Sequence, residues 1–447
     1  MNLGHEHRLS SGVIRFFVLA VAGVGLTLSP TLGDAQGPSP QQAPVASEQE
    51  HHPTAQPTPI RELVQEVERN NPEIAAALHG WQAATNVPKQ VAALPETQVS
   101  VQQFSVGSPR PIAGFSNSDF AYIGFGASQD LPFPGKRSLR GKVADLEASS
   151  MREDSEAVRR RVIEQVKLTY FQLAYIQQTL DILERSDQLL NQVQQVVESR
   201  YRVGQGNQQD VLRAQLQHTK ILQDIAMHHQ EEGQLEAQLK QFLNRAQTSP
   251  AIVAEPLTPT FLLYTDAQLL QRLQDQNPDV RAKQQLAYRG EKQVELAHKD
   301  FRPDFMAEYM YQHGSAHADY YMATFGIRLP NRGRQKAELS EAIANQERAK
   351  SELQAEMQRV ASEVEQQYVL VRSSEERLNN YKGGLIPQAD ATFHAGMAAY
   401  QANRQDFETL LANFLDVLNL DLEYRRELVE HESALSRLER LTGVTLP

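Results

Sequence analysis

Met306, Met310 and Met322 share one short stretch with His313 and His317, and thioether and imidazole groups are ligands that soft metal ions accept. The same residues also admit a packing role, because methionines on strands fill gaps and His317 falls in a connecting loop. His228-His229 and His51-His52 offer pairs with no further ligand nearby. Gly135-Lys136-Arg137 lacks the G-x-x-x-x-G-K-[ST] frame of a phosphate loop. No nucleophile with an attendant base can be assembled from the spacing, and cysteine is absent. The chain therefore reads as a non-enzyme that takes no cofactor. Asp406 and Glu408 can act otherwise: repeated around a narrow pore, they form a carboxylate ring that favours cations. Equally, they suit the first turn of a helix, where acids meet the positive end of its dipole.

Length and charge narrow the setting. The chain has 447 residues and a net charge of −11, which argues against a nucleic-acid partner. Arg8 and Arg15 precede the apolar run 16–28, and Gly33-Asp34-Ala35 supplies a small-x-small junction. Residues 1–35 are expected to be a signal peptide cut after Ala35, and 36–59 a disordered leader. With no cysteine at that junction, no lipid anchor is expected there. No later apolar run reaches the ~20 residues of a membrane-spanning helix. Any entry into a membrane is thus expected to be by β-strands.

The chain repeats itself at a shift of about 200 residues. Asn71-Pro72-Glu73-Ile74 is answered by Asn277-Pro278-Asp279-Val280. Asp130-Leu-Pro-Phe-Pro-Gly135-Lys-Arg137 is answered by Arg328-Leu-Pro-Asn-Arg-Gly333-Arg334. Tyr201-Arg-Val-Gly204 with Asp210 is answered by Tyr400-Gln-Ala-Asn403 with Thr409. Two structural repeats, 60–260 and 261–447, follow from these anchors.

Each repeat carries one plan. Helical spacing over 60–92 and 266–300 gives way to alternating segments at 97–104, 120–128, 304–312 and 320–329, two hairpins in all. The aromatics Phe120, Tyr122, Phe125, Phe133, Tyr309, Tyr311, Tyr320, Tyr321 and Phe325 gather in or beside these strands. Long helical segments follow, with Leu173, Ile176, Leu180, Leu183, Leu190 and Val197, and later Val360, Val364, Val371 and Leu378, at coiled-coil spacing. Gly383-Gly384 and Pro387 predict a kink or a loosened turn. Gly204, with Gly206 following, and Asn403 suit the left-handed position that ends a helix at a hairpin tip. The fold class is mainly α with a small β part. Four strands cannot close a barrel, which needs at least about eight, so other copies must complete it. A trimer would supply twelve strands.

In these ordered and duplicated motifs the chain resembles the TolC-type outer-membrane factor family over about 60–445. Leu131-Pro-Phe-Pro-Gly-Lys-Arg137 is similar to its cation-efflux branch. The resemblance implies an outer-membrane channel of a tripartite efflux system, passively conducting metal cations or small toxic molecules. It implies a homotrimer with a twelve-stranded barrel in outer-membrane lipid, its duplicated long helices forming an α-helical barrel, a tunnel in the periplasm. It also implies a periplasmic adaptor and an inner-membrane pump of the resistance-nodulation-division type as partners. Gly204, Gly206, Asp210, Asn403 and Phe407 become candidates for adaptor contact at the periplasmic tips. Tyr400, Arg404, Asp406 and Glu408 become candidates for the gate. Tyr400 matches the family tyrosine, Arg404 stands one place early, and Thr409 and Ala412 occupy the family's acidic positions. Two alternatives stay open: an exit duct for type I protein secretion, and a periplasmic coiled-coil adaptor.

Overall fold

Asn71 and Asn277 each join the start of one helix to the end of a distant one. The Asn71 carboxamide oxygen accepts from the amides of Glu73 (2.9 Å) and Ile74 (3.2 Å), capping the helix that begins at Pro72. Its nitrogen donates to the Phe242 carbonyl at 2.8 Å. Asn277 does the same in the other half, accepting from Val280 (3.0 Å) and donating to Leu441 (2.9 Å). Proline follows each at the first helical position, where its missing N–H costs nothing.

The computed structural model describes residues 57–105, 107, 110, 121–314 and 318–444. The expected signal peptide, nearly all of the leader, most of the loop 105–119, Phe120 and His317 lie outside the described residues. The first half runs α1 (Ile60–Asn70), α2 (Pro72–Ala84), α3 (Val87–Ala92), β1 (Gln98–Phe104), β2 (Tyr122–Leu131), α4 (Lys136–Arg202) and α5 (Gln208–Phe242). The second runs α6 (Asp266–Gln276), α7 (Pro278–Lys299), β3 (Asp304–Gly314), β4 (Tyr320–Arg328), α8 (Arg332–Asn380), α9 (Ile386–Gln401) and α10 (Phe407–Thr442). The chain is mainly helical, with one four-stranded antiparallel sheet.

Between α8 and α9, Tyr381–Leu385 form a π turn. Proline at 387 cannot donate and would crowd the carbonyl four residues back, and the widened turn absorbs that conflict. A Cβ on Gly383 or Gly384 would meet nothing within 4 Å.

Among the described residues the strands pair in the order β1-β2-β3-β4, leaving β1 and β4 as open edges of this chain's sheet. Register sorts the side chains into two faces. Val99, Val101, Phe125, Tyr309, Tyr311, Tyr321, Phe325 and Ile327 share one, and Phe325 is 84% exposed. The opposite face carries Ser100, Gln102, Gly124, Gly126, Ser128, Glu308, Gln312 and Thr324. Met306, Met310 and Met322 also lie there, with buried Met310 over Gly124 and Gly126, whose missing side chains make room for it.

Lys136 locks the sheet to the helices. Only 3% exposed, it donates to Asp304 (2.9 Å) and to the Arg302 carbonyl (2.9 Å), with Asp300 at 3.5 Å. The Phe133 amide donates to the same Asp304 carboxylate at 2.8 Å. Arg137 donates to the Ala92 carbonyl at 2.9 Å. Gly135 permits this crossing, because its φ is +92°. The Leu-Pro-Phe-Pro-Gly-Lys-Arg segment thus joins the β2–α4 junction to the α7–β3 junction and to α3.

Beneath the sheet, α2 and α3 pack on α4, α4 on α7, and α7 on α8, the same lateral order as the strands. At the far end the row is α5, α4, α10, α9. The coiled-coil stripe of α4 is buried, with Leu190 and Val197 meeting Ile221 of α5 and Phe414 of α10. Val360, Val364 and Val371 of α8 meet Leu435 and Leu438 of α10.

The segment between α5 and α6 crosses the helices as a strap. Gln177 of α4 bonds Ile252 and Ala254, Tyr170 bonds Glu255, Glu432 of α10 bonds Thr260, and Glu375 of α8 bonds Leu262. His431 is fully buried between the Thr260 carbonyl and the Ser374 hydroxyl. Burial pushes the Glu432 carboxyl up, against the pull of the Thr260 amide.

Asn277→Ala is expected to cost about 2 kcal/mol, because it removes a cap and strands the Leu441 carbonyl. Asn207→Ala, at a cap position whose side chain makes no capping bond, should change stability by less than about 0.5 kcal/mol. Denaturant unfolding in detergent, followed by helical circular dichroism, compares the two. Equal effects would remove the structural role assigned to Asn277.

Candidate functional site

Both hairpin tips end their first helix with the same backbone motif. At α4, Gly204 has φ +74°, its amide donates to the Tyr201 carbonyl (3.0 Å), and the Gln205 amide donates to Arg200 (2.8 Å). At α9, Asn403 has φ +59°, its amide donates to Tyr400 (3.1 Å), and the Arg404 amide donates to Ala399 (2.9 Å). These paired bonds satisfy the last carbonyls of each helix. Gly206 is held by sterics: a Cβ there would stand 3.2 Å from the Tyr201 amide nitrogen.

The two tips differ in side chains. Tyr201 is 46% exposed, whereas its counterpart Tyr400 is 3% exposed. Tyr400 packs on Phe407 with ring centroids 6.0 Å apart. Arg200, from the first tip, lies over the Tyr400 ring at 4.4 Å and donates to the Tyr400 carbonyl and the Asn403 side chain. It also reaches the Gln205 carbonyl at 3.3 Å. One guanidinium therefore fastens the second tip to the first. Burial pushes the Tyr400 hydroxyl up, with Arg200 opposing and Asp210 adding to the rise.

The remaining candidates are placed as follows. Gly204 and Asn403 are exposed at the tips, and Asp210 is half-buried in the first turn of α5. Phe407, expected at a partner surface, is 1% exposed and lies in the core between the hairpins. A ring so enclosed supports the tip from within. Tyr400 is likewise inside this chain's own packing, and its partner is Arg200, with Arg404 left exposed. Asp406 caps α10 by accepting from the Thr409 amide at 2.8 Å. The Thr409 amide and hydroxyl hold its carboxyl below the usual range. That contribution is present above the ordinary carboxylate pKa and fades as pH falls through the lowered one. Glu408 pairs with Arg213 of α5 at 2.9 Å, an exposed bridge of small energy.

Arg200 and Arg213 escape sequence reasoning. Arg200 adjoins the tip motif, but nothing local marks its bond to a residue two hundred positions away. Among the described residues, no group of three or more His, Cys, Asp or Glu could hold a metal ion. His313 bonds Asp319 at 2.7 Å. Among the same residues, no helix is long and apolar enough to cross a membrane.

Residues 63–245 and 269–438 match the outer membrane efflux protein family, and the chain belongs to that family. It is an efflux component of the outer membrane. The fold is shared with VceC, an outer membrane protein of Vibrio cholerae, at 18% identity and TM-score 0.74, over 86% of this chain and 96% of that one. CusC aligns at 18% identity and TM-score 0.76, over 86% and 92%. The open-state MtrE outer membrane channel of Neisseria gonorrhoeae aligns at 15% and 0.72, over 86% and 88%. No curated protein matches this sequence.

Arg200→Ala is expected to loosen the second tip by about 2 kcal/mol, from its charged hydrogen bonds and its cation–π contact. Amide hydrogen exchange at Asn403 and Arg404 should then speed up roughly 30-fold, whereas Arg404→Ala should leave it unchanged. Equal exchange in both variants would deny Arg200 its fastening role.

Proposed function

We propose that three copies close head to tail into a channel, twelve strands in outer-membrane lipid above a helical tunnel in the periplasm. One observation carries this reading: the sheet ends in two unpaired edges, and the helices beneath share its lateral order. An unpaired strand edge in lipid leaves backbone groups at several kcal/mol each, and pairing β4 of one copy with β1 of the next removes that cost. The apolar aromatic face then meets lipid, and the polar face with its methionines lines the lumen.

The halves 60–260 and 261–447 are a tandem duplication, and export begins with removal of residues 1–35. The tips at 203–206 and 402–405 face a periplasmic adaptor that joins the channel to an inner-membrane pump of the resistance-nodulation-division type. Gly204, Gly206 and Asn403 shape that contact, with Asp210 beside it. The gate is the tip itself, fastened by Arg200 on Tyr400. Asp406 and Glu408 supply carboxylates that favour cations when repeated around the axis. Metal cations or small toxic molecules are the substrates, a reading supported by the acidic tip and the likeness of Leu131–Arg137 to the cation-efflux branch. That segment also has a structural duty at the sheet junction.

Purified in detergent and added to planar bilayers, the protein is expected to show small, cation-preferring conductance. Asp406→Asn keeps the capping bond but removes the charge, and should raise conductance while lowering cation preference. A soluble monomer without detergent, giving no conductance, would sink the channel reading.

A further inference from the structure

His431 is fully buried on α10, and both of its ring nitrogens are engaged. Nε2 lies 2.5 Å from the Thr260 carbonyl of the strap, and a carbonyl can only accept, so Nε2 carries a proton. Nδ1 lies 2.7 Å from the Ser374 hydroxyl of α8. That hydroxyl also reaches the Val371 carbonyl at 2.8 Å, and it has a single proton to give. Turned towards Nδ1, it serves a neutral imidazole. Turned towards Val371, it presents lone pairs to Nδ1 and serves an imidazolium. Both protonation states therefore keep every ring bond, and only a hydroxyl rotates between them.

The next residue completes the arrangement. Glu432, also buried, accepts from the Thr260 amide at 2.8 Å. Two consecutive side chains of α10 thus hold both backbone groups of one strap residue. With the imidazole neutral, only the bond to the carboxylate is charge-assisted. With the imidazole protonated both bonds are, and charge-assisted hydrogen bonds are the stronger kind. Burial by itself disfavours a charged ring. Here the Glu432 carboxylate adjoins it, and a cationic His431 in turn counters the upward push that burial exerts on that carboxyl.

The other charges nearby are engaged elsewhere. On α8, Arg372 pairs with Glu375 at 2.8 Å, and Arg377 pairs with Glu427 of α10 at 2.6 Å. Lys167 of α4 pairs with Glu439 of α10. The strap's own acid, Glu255, stands beside Tyr170. Arg61 of α1 lines one cavity with Glu432, from an exposed position where solvent and salt screen it. Glu432 is left as the counter-charge for His431.

We propose that His431 is an acid-operated clasp, in which a second proton on its imidazole tightens the hold of α10 on the strap at Thr260. The device is complete within one chain and does not depend on the ring proposed above. The same strap is bonded to α4 through Gln177 and Tyr170 and to α8 through Glu375. The clasp therefore sets how firmly three helices are bound together at that height, and it does so as a function of the surrounding pH.

Full-length protein in detergent is compared at about pH 8 and about pH 5.5, a window that spans the ordinary titration of imidazole. Amide exchange is measured and corrected for its intrinsic pH dependence. The Thr260 amide is expected to be roughly 10-fold better protected in acid, as a neutral bond in the clasp becomes a charged one. His431→Gln offers the same N–H to Thr260 and an acceptor to Ser374 but takes no proton, and should abolish the rise. A rise that survives His431→Gln places the proton elsewhere, and no rise in the unaltered protein means no clasp; either result overturns the proposal. Should His431→Gln fail to fold, Ser374→Ala decides. It removes the acceptor for the Nδ1 proton, so a lost or reduced rise upholds the clasp and an undiminished one overturns it. Exchange at the C2 position of His431 reads the protonation of the ring directly and should follow the same midpoint as Thr260 protection. Separate midpoints would also overturn the assignment.

Discussion

Backbone hydrogen bonding at the sheet edges is the constraint on which everything else depends. β1 and β4 have unpaired sides, and β2 and β3 are satisfied only by one another and by those edges. Large apolar side chains such as Val99, Phe325 and Ile327 lie on one face and are largely exposed. In water such a sheet is an aggregation hazard, and alone in lipid it is ruinous. The closed ring proposed above answers both needs. The helices lie below the strands in the same lateral order.

Rigidity is unevenly distributed along the chain. Near the sheet, Lys136 is enclosed and fixed by a carboxylate, a carbonyl and a second acid. At mid-length Asn71, Asn277 and the strap tie both hairpins through buried side chain to backbone bonds. Towards the tips such ties thin out. Arg200, itself half-buried, is the fastening between the tips, and its bonds to Gln205 and Asn403 lie where water competes. Local opening draws on the least stable segments of a fold.

The fold was legible in the sequence wherever local chemistry dictates conformation. Asn-Pro marks a capped helix start, Gly204 and Asn403 mark left-handed turns, and Gly-Gly with Pro387 marks an interrupted helix. Each of these signals needs only a few neighbouring residues. The tip's side-chain arrangement was less legible, because it joins residues two hundred positions apart. Arg404 lies near Tyr400 in sequence, yet Arg200 takes the ring, since the hairpins lean together at that height. Phe407 reads as a tip residue by number, but its helix face turns it into the core. Asp406 satisfies both of its sequence readings at once, as a cap that remains an exposed carboxylate.

The comparison of Tyr201 with Tyr400 shows what the two matching halves have kept apart. Their backbones end in the same turn, with the same two hydrogen bonds and the same left-handed residue. One ring faces solvent and the other is sealed beneath a guanidinium donated by the first tip. Backbone geometry here is set by capping, which tolerates glycine or asparagine and little else. Side-chain identity outside the cap is free of that demand. Two equivalent tips can therefore diverge into one that holds and one that is held.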